Sequence, residues 1–134
     1  MFTKRKRTCR GWSNWLLRAA EGGRRIPGKL RKLISNEEHA LFFSVASLWE
    51  IAIKAGLGRP DFTLDASVFR RLLIDNGYTE IAISGSHVIT ANSLPPLHRD
   101  PFDRLLVAQA ISEGFTLLTS DPALAGYPGD IVIA

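Results

Sequence analysis

The sequence predicts an α/β fold built on a parallel sheet. Short apolar runs of strand length alternate along the chain with segments whose apolar residues recur at helical spacing. Strands that alternate with helices in this way are typical of a parallel sheet covered on both faces, which gives three layers. With 134 residues, of which 46% are hydrophobic, the chain is long enough for one core and one domain. Ligands of such sheets bind beyond the carboxyl ends of the strands, so acids at those positions are the first candidates for a site.

The first quarter of the chain has a different composition. Residues 1–25 show no clean period beyond a turn or two of helix around Trp12–Ala20, so we expect a basic, poorly ordered or aberrant segment there and a folded domain over residues 26–134. Residues 1–35 contain 11 Lys and Arg against one acid, a net charge of +10, whereas residues 36–134 carry a net charge of −6. A basic arm of this kind either remains solvated or binds nucleic acid through phosphate contacts.

Beyond residue 25 the predicted elements follow one another without long gaps. Helices are predicted where apolar side chains recur at i, i+3 and i+4 and where Pro, Gly or Asn marks an end. We expect helices that start at Pro27 and that span 47–55, 64–78, 86–93 and 101–113. Strands are expected at 40–45, 80–84, 115–119 and 131–133, with a turn at 120–122. In the helix at 64–78, the side chains expected to face inward are Val68, Leu72 and Phe69.

Several classes of protein need residues that this sequence lacks. The single cysteine, Cys9, excludes an intramolecular disulfide framework and a zinc site built from thiolates. No apolar run approaches the roughly 20 residues that cross a bilayer, and the apolar patch Trp15–Leu17 is too short for a signal peptide. The glycine patterns of serine hydrolases, P-loops and dinucleotide-binding proteins do not occur. We therefore expect a cytoplasmic protein without a membrane partner.

Glu50 is the first of three acids that lie beside a predicted strand end or helix start. It follows Ser47 at capping-box spacing and precedes Lys54 by four residues, the spacing of a helical ion pair. Both contacts would explain the residue without any chemistry. Bulky apolar neighbours on either side nevertheless indicate a less solvated carboxylate than a helix cap usually has.

Asp103 and Asp121 have the same two interpretations. Asp103 falls at the third position of a helix capped by Asp100, where the helix dipole favours a carboxylate. The helix that follows is so apolar that its acidic start is expected at a cleft. Asp121 comes just after a strand and before a proline, which suits an Asx turn or a cap. His98 could be a base, an RNA contact or a loop residue, and because no second histidine stands at ligand spacing we interpret it as a loop residue.

Taken together, the three acids suggest a metal site. Carboxylates that converge from different elements at strand ends form an oxygen-rich site suited to Mg²⁺ or Mn²⁺. Such ions activate water and stabilise the leaving oxygen in phosphodiester cleavage. They also offset the repulsion between like charges held close together.

Three segments resemble the PIN-domain ribonucleases, and within them the VapC-type toxins of bacterial toxin–antitoxin pairs. They are SVASLWEIAIK at 44–54, LPPLHRDPFDRLLVAQA at 94–110 and TLLTSD at 116–121, in the order and spacing of that family. The resemblance implies a PIN-like three-layer α/β/α fold with a twisted parallel sheet and a homodimer. It also implies Mg²⁺- or Mn²⁺-dependent cleavage of RNA and a cognate VapB-type antitoxin that occupies the site.

The resemblance also assigns roles to individual residues. Glu50, Asp103 and Asp121 match the family's catalytic, metal-binding acids. Nearby cations are candidate contacts for RNA phosphate, with a solvated surface charge as the alternative at each. These candidate RNA contacts are Lys54, Arg99 and Arg104.

The resemblance fails at the amino terminus. Family members begin with an apolar central strand that runs into Asp-Thr-His, whose Asp is a principal metal ligand, whereas this chain has Arg7 before Thr8-Cys9. The first central strand is therefore expected to be missing or replaced, and a shifted reading frame or displaced start codon would explain the change of composition near residue 25.

Three functions remain open from the sequence. The chain is a toxin endoribonuclease with impaired activity, or a catalytically inactive degenerate toxin that still dimerises or captures antitoxin. The third alternative, a basic-armed nucleic-acid-binding protein, rests on residues 1–32.

Overall fold

A single sheet runs through the part of the chain that the computed structural model describes, which comprises residues 2–5, 8–10, 39–58, 65–119 and 121–133. Its strands are β1 (Phe2–Arg5), β2 (Thr8–Arg10), β3 (His39–Ser44), β4 (Thr79–Ile81), β5 (Thr116–Thr119) and β6 (Asp130–Ile133). They lie in the order β4-β3-β1-β5-β6, and β2 pairs with β1. The helices are α1 (Val45–Gly56), α2 (Ala66–Asp75), α3 (Gly85–Ser93), α4 (Pro101–Glu113) and a 3₁₀ turn at Pro122–Gly126.

The expected α/β architecture is confirmed, with parallel strands on both sides of the sheet centre. β3 pairs with β4 and β5 pairs with β6 in parallel, each pair joined through helices. The carboxyl ends of β3 and β5 therefore face the same edge of the sheet, where the following elements start. That edge is where the predicted acids of α1, α4 and the β5 end were expected to meet.

The central position is taken by β1, a strand that the sequence pattern did not predict. β1 runs antiparallel to both neighbours, with Phe2 opposite Leu117 of β5 and Lys4 opposite Ala40 of β3. The centre of the sheet is thus held by the start of the chain rather than by the parallel apolar strand of the resemblance. The predicted helix from Pro27 and the helical turn around Trp12–Ala20 lie outside the described residues.

Each helix begins at a polar side chain that binds its first free amides. Ser44 caps α1, and its Oγ accepts a hydrogen bond from the Ala46 amide at 3.0 Å. Asp65, Ser84 and Asp100 cap the next three helices in the same way, each by accepting from a backbone N–H one turn in. α4 ends at Gly114 in the left-handed region (φ 67°), as the sequence predicted.

The inward face of α2 differs from the expected one. Phe69 and Leu73 are buried, whereas Val68 and Leu72 are 56% and 45% exposed. The prediction that Val68 and Leu72 face inward was therefore wrong, and that for Phe69 was right. α2 contacts only α1 and β4 to a substantial extent among the described elements, and the i, i+4 pair Phe69 and Leu73 is enough to form that narrow apolar face.

The core lies between the sheet and the helices that contact it. It is formed by aliphatic and aromatic side chains from β1, β3, β5, α1 and α4. Phe115, just before β5, packs against Phe2 and Phe42, with ring centroids 6.0 and 5.1 Å apart. Of the helices in the described ranges, none is long and apolar enough to pass through a bilayer.

Replacing Phe2 tests whether the chain start holds the centre of the sheet. Because its side chain is fully buried, Phe2→Ala should lower the free energy of unfolding by about 3–5 kcal/mol. Val88→Ala, at a site that is 54% exposed, should change it by less than about 0.5 kcal/mol. Urea denaturation of both variants measures these free energies. Equal losses for the two variants would show that β1 does not belong to the core.

Candidate metal centre

Three side chains from separate elements meet beyond the carboxyl end of β5. His98 lies in the loop before α4, Asp103 in the first turn of α4, and Asp121 two residues after β5. One donor atom of each, an imidazole nitrogen and two carboxylate oxygens, lies within 4.8 Å of the other two. All three are half-buried, so the cluster is screened from bulk solvent but reachable from it.

The start of α4 fixes Asp103. Asp100 caps the helix by accepting from the Phe102 amide at 2.9 Å, and Pro101 takes the first helical position, as predicted. Asp103 is then carried at the third position, with its Oδ2 hydrogen-bonded to His98 Nε2 at 2.9 Å. Burial, together with the like charges of Asp100 and Glu50, raises the pKa of Asp103 to about 6, and the hydrogen bond from His98 acts in the opposite direction.

The turn after β5 fixes Asp121. Its amide donates to Thr119 Oγ1 at 3.1 Å, and its Oδ1 accepts from the Ala123 amide at 2.9 Å. The capping explanation from the sequence is therefore correct for this oxygen. The second oxygen, Oδ2, remains directed at His98 Nε2, 3.4 Å away, so the same carboxylate both caps the 3₁₀ turn and faces the cleft.

His98 is the residue that joins the two aspartates. Its Nε2 lies 2.9 Å from Asp103 Oδ2 and 3.4 Å from Asp121 Oδ2. The contact with Asp103 is a hydrogen bond, and Asp121 Oδ2 lies within ion-pair distance of the same nitrogen. His98 lies in a loop, as the sequence indicated, but it is not isolated, because the fold returns Asp121 to the side of the loop that carries the imidazole.

The loop that carries His98 is held from two sides. The backbone amide of His98 donates to the buried Tyr127 Oη at 2.9 Å. The guanidinium of Arg104 donates to the carbonyls of Ala91, Leu94 and Pro95, at 2.9, 3.3 and 3.1 Å. Arg104, expected from the sequence to contact RNA phosphate, is therefore engaged with main-chain carbonyls at the end of α3. Its contact with RNA stays a prediction.

Glu50 lies beside the cluster rather than in it. α1 begins at Val45 with Ser44 as its cap, so the capping-box explanation that paired Ser47 with Glu50 was wrong. The predicted ion pair is present, with Glu50 Oε1 3.2 Å from Lys54 Nζ. The charge of Glu50 contributes to the raised pKa of Asp103, yet its carboxylate does not belong to the group of mutually close donors.

The central strand supplies no carboxylate to this edge. Phe2–Arg5 and Thr8–Arg10 contain no Asp or Glu. Because β1 is antiparallel, its amino end and not its carboxyl end lies toward the carboxyl end of β5. The acid that family members place at the end of their first strand therefore has no equivalent in the described part of β1 and β2.

The donor set fits a divalent cation. Two carboxylates and one imidazole provide oxygen and nitrogen atoms that bind Mg²⁺, Mn²⁺ and heavier first-row ions to different degrees. The raised pKa of Asp103 shows that its ionised form is poorly compensated by the protein alone. A bound cation would offset that cost with its full positive charge.

Comparison with known families decides the classification. The PIN domain family model matches residues 13–129. The chain belongs to the PIN domain family. PIN domains are generally metal-dependent nucleases, and the family indicates RNA as the substrate and a divalent metal as the cofactor. No curated protein matches this PIN domain chain.

Sequence reasoning missed two residues of this PIN domain site. His98 stands five positions before Asp103 in the same motif, a signal that was visible but pointed equally to a loop residue. Tyr127 lies 29 residues after the loop that it fixes, and no local pattern marks it. Of the candidate cations, Arg99 is exposed at the rim of the cleft, whereas Lys54 is paired with Glu50.

Neutralising Asp103 should stabilise the metal-free protein. Its folded-state pKa of about 6 exceeds the unfolded value of about 3.9, so the ionised carboxylate destabilises the fold above pH 6 and has no such effect below pH 4. After allowance for partial solvent exposure, Asp103→Asn should raise the free energy of unfolding by about 1–2 kcal/mol near pH 7.

Denaturation in EDTA measures this effect. The gain should shrink as the pH falls from about 6 to about 4, because the wild-type carboxyl then takes up its proton. Asp75→Asn, at an exposed acid on α2, is the matched control and should show no gain. A destabilised Asp103→Asn protein near pH 7 would contradict the prediction.

Proposed function

We propose that the chain is a metal-dependent endoribonuclease of the VapC type, the toxin of a type II toxin–antitoxin pair that acts in the cytoplasm. The observation that carries the proposal is the convergence of His98, Asp103 and Asp121 at the edge of a PIN domain sheet. A cleft with two carboxylates at this position suits metal-dependent phosphodiester chemistry better than it suits a purely structural role.

Asp103 and Asp121 would hold Mg²⁺ or Mn²⁺, with Glu50 as an additional negative charge at the back of the cleft. When bound, the cation supplies activation of water and neutralisation of the phosphate charge. In hydrolysis, water adds to phosphorus and the bond from phosphorus to one ribose oxygen breaks. The two carboxylates would hold the cation. The cap at the start of α4 positions Asp103, and hydrogen bonds with Thr119 and Ala123 position Asp121.

The net negative charge beyond residue 35 opposes an RNA backbone, so cations at the rim matter. Arg99 is exposed next to His98, which supports a contact with a phosphate that flanks the cleft. Lys54 offsets Glu50 and would lower the repulsion that a phosphate meets there. A homodimer and a VapB-type antitoxin over the site complete the proposal, and both rest on the resemblance.

An inactive toxin is the second candidate, because one observation favours it. β1 offers no carboxylate where family members have their first metal-binding acid. A chain that retains the fold but lacks that ligand can still dimerise or capture an antitoxin. In that case it would co-purify with a co-expressed VapB-type antitoxin and would leave RNA intact with every cation tested.

Cleavage of RNA in the presence of Mn²⁺ or Mg²⁺ tests the first candidate. We expect activity that EDTA abolishes and that Asp103→Asn and Asp121→Asn each lower by about 10²-fold or more, since each removes a carboxylate that would hold the cation. Asp75→Asn is the control for loss of any exposed acid. Cleavage that survives both site substitutions would come from another site or a contaminant.

Replacing Arg99 tests the rim contact. Arg99→Ala should weaken binding of single-stranded RNA and reduce the slope of log affinity against log salt by about 0.7, the value for one lost phosphate contact. Arg71→Ala, on the outer side of α2, should leave both quantities unchanged. Fluorescence anisotropy with catalytically inactive Asp103→Asn protein as background gives both values, and an unchanged slope would remove Arg99 from the interface.

A further inference from the structure

We propose that His98 is a direct ligand of the cation and that its imidazole makes the centre prefer first-row transition ions over Mg²⁺. The inference rests on the proposed metal-dependent function and adds the identity of a ligand and a selectivity. Neither the three-acid pattern in the sequence nor membership of the PIN domain family contains it.

The first support is the position of Nε2. His98 Nε2 is hydrogen-bonded to Asp103 Oδ2 at 2.9 Å and lies 3.4 Å from Asp121 Oδ2. The three donor atoms already lie within 4.8 Å of one another, so they surround one common point. A cation at that point would take the place of the Nε2 hydrogen, and the imidazole would bind it as the neutral tautomer that carries its hydrogen on Nδ1.

The second support is that the backbone that carries the imidazole is held in place. Tyr127, which is buried, accepts the His98 backbone amide, and Arg104 fixes the preceding turn through three carbonyls. Ligands held before the cation arrives lose less entropy on binding.

The third support is the absence of a competing oxygen ligand. β1 and β2 carry no acid, and Glu50 is paired with Lys54 outside the group of mutually close donors. The donors available from the described residues are therefore two carboxylates and one imidazole. His98 thus supplies the third protein ligand at the edge where the strand acid is missing.

The selectivity follows from the chemistry of the donors. Mg²⁺ demands near-ideal octahedral oxygen coordination and loses its water reluctantly. Imidazole binds first-row transition ions more strongly, with affinity rising from Mn²⁺ to Co²⁺ and beyond. A site with one imidazole and two carboxylates should accordingly bind Mn²⁺ and Co²⁺ ahead of Mg²⁺.

Electron paramagnetic resonance of Mn²⁺ added to the purified protein tests the ligand directly. Electron spin-echo modulation from a coordinated ¹⁴N should appear in wild type and disappear in His98→Ala. The affinity for Mn²⁺, from the loss of the free-ion signal, should fall at least about tenfold in His98→Ala. Leu97→Ala, at the exposed neighbour in the same loop, is the control and should keep both signals.

A second variant tests the selectivity. His98→Asp replaces the nitrogen with an oxygen donor and should lower the ratio of Mn²⁺ to Mg²⁺ affinity at least about tenfold, measured by competition of Mg²⁺ against bound Mn²⁺. An unchanged ratio overturns the selectivity. Wild type that binds Mn²⁺ without ¹⁴N modulation overturns the role of His98, even where a variant fails to fold.

The outcomes separate this inference from the function on which it rests. Binding of Mn²⁺ that Asp103→Asn weakens and His98→Ala does not would retain the metal centre and remove His98 from it. Wild-type protein that binds neither Mn²⁺ nor Co²⁺ would overturn both the centre and this inference.

Discussion

The partly buried carboxylate of Asp103 is the constraint on which the rest of the site depends. Helix capping by Asp100 and Pro101 places it in the cleft, where desolvation and two like charges raise its pKa. Among the residues that the structure describes, His98 donates a hydrogen bond to it in return. An acid that is ionised at neutral pH and so weakly compensated is costly for the fold, and a bound cation is the simplest way to remove that cost.

Several hydrogen bonds around the site hold the segments that carry Glu50, His98 and Asp103. The guanidinium of Arg104 donates hydrogen bonds to three main-chain carbonyls and so fixes the loop. The hydroxyl of the buried Tyr127 accepts a hydrogen bond from the same loop. Beneath it, the buried Ser44 Oγ donates to Gln109 Oε1 at 2.6 Å and ties the end of β3 to the middle of α4. These contacts orient α1 and α4, and with them Glu50 and Asp103, toward one edge.

The unusual centre of the sheet has a chemical consequence. β1 fills the gap between β3 and β5 with paired backbone and with the buried Phe2, so the core is closed. It does so in the antiparallel direction, which brings no acid to the cleft. In this chain β1 completes the sheet, but it adds no ligand to the candidate metal site.

The sequence by itself determined the alternation of strands and helices, the caps at Asp100 and Gly114, and the acids at the edge, because these depend on neighbours within one or two turns. Only the tertiary structure decided that β1 occupies the sheet centre, that Glu50 stands apart from the close group, and that His98 joins Asp103 to Asp121. Each of those depends on contacts between distant segments, such as Phe2 with Leu117. Such pairings follow from how the core packs as a whole, and no local pattern encodes them.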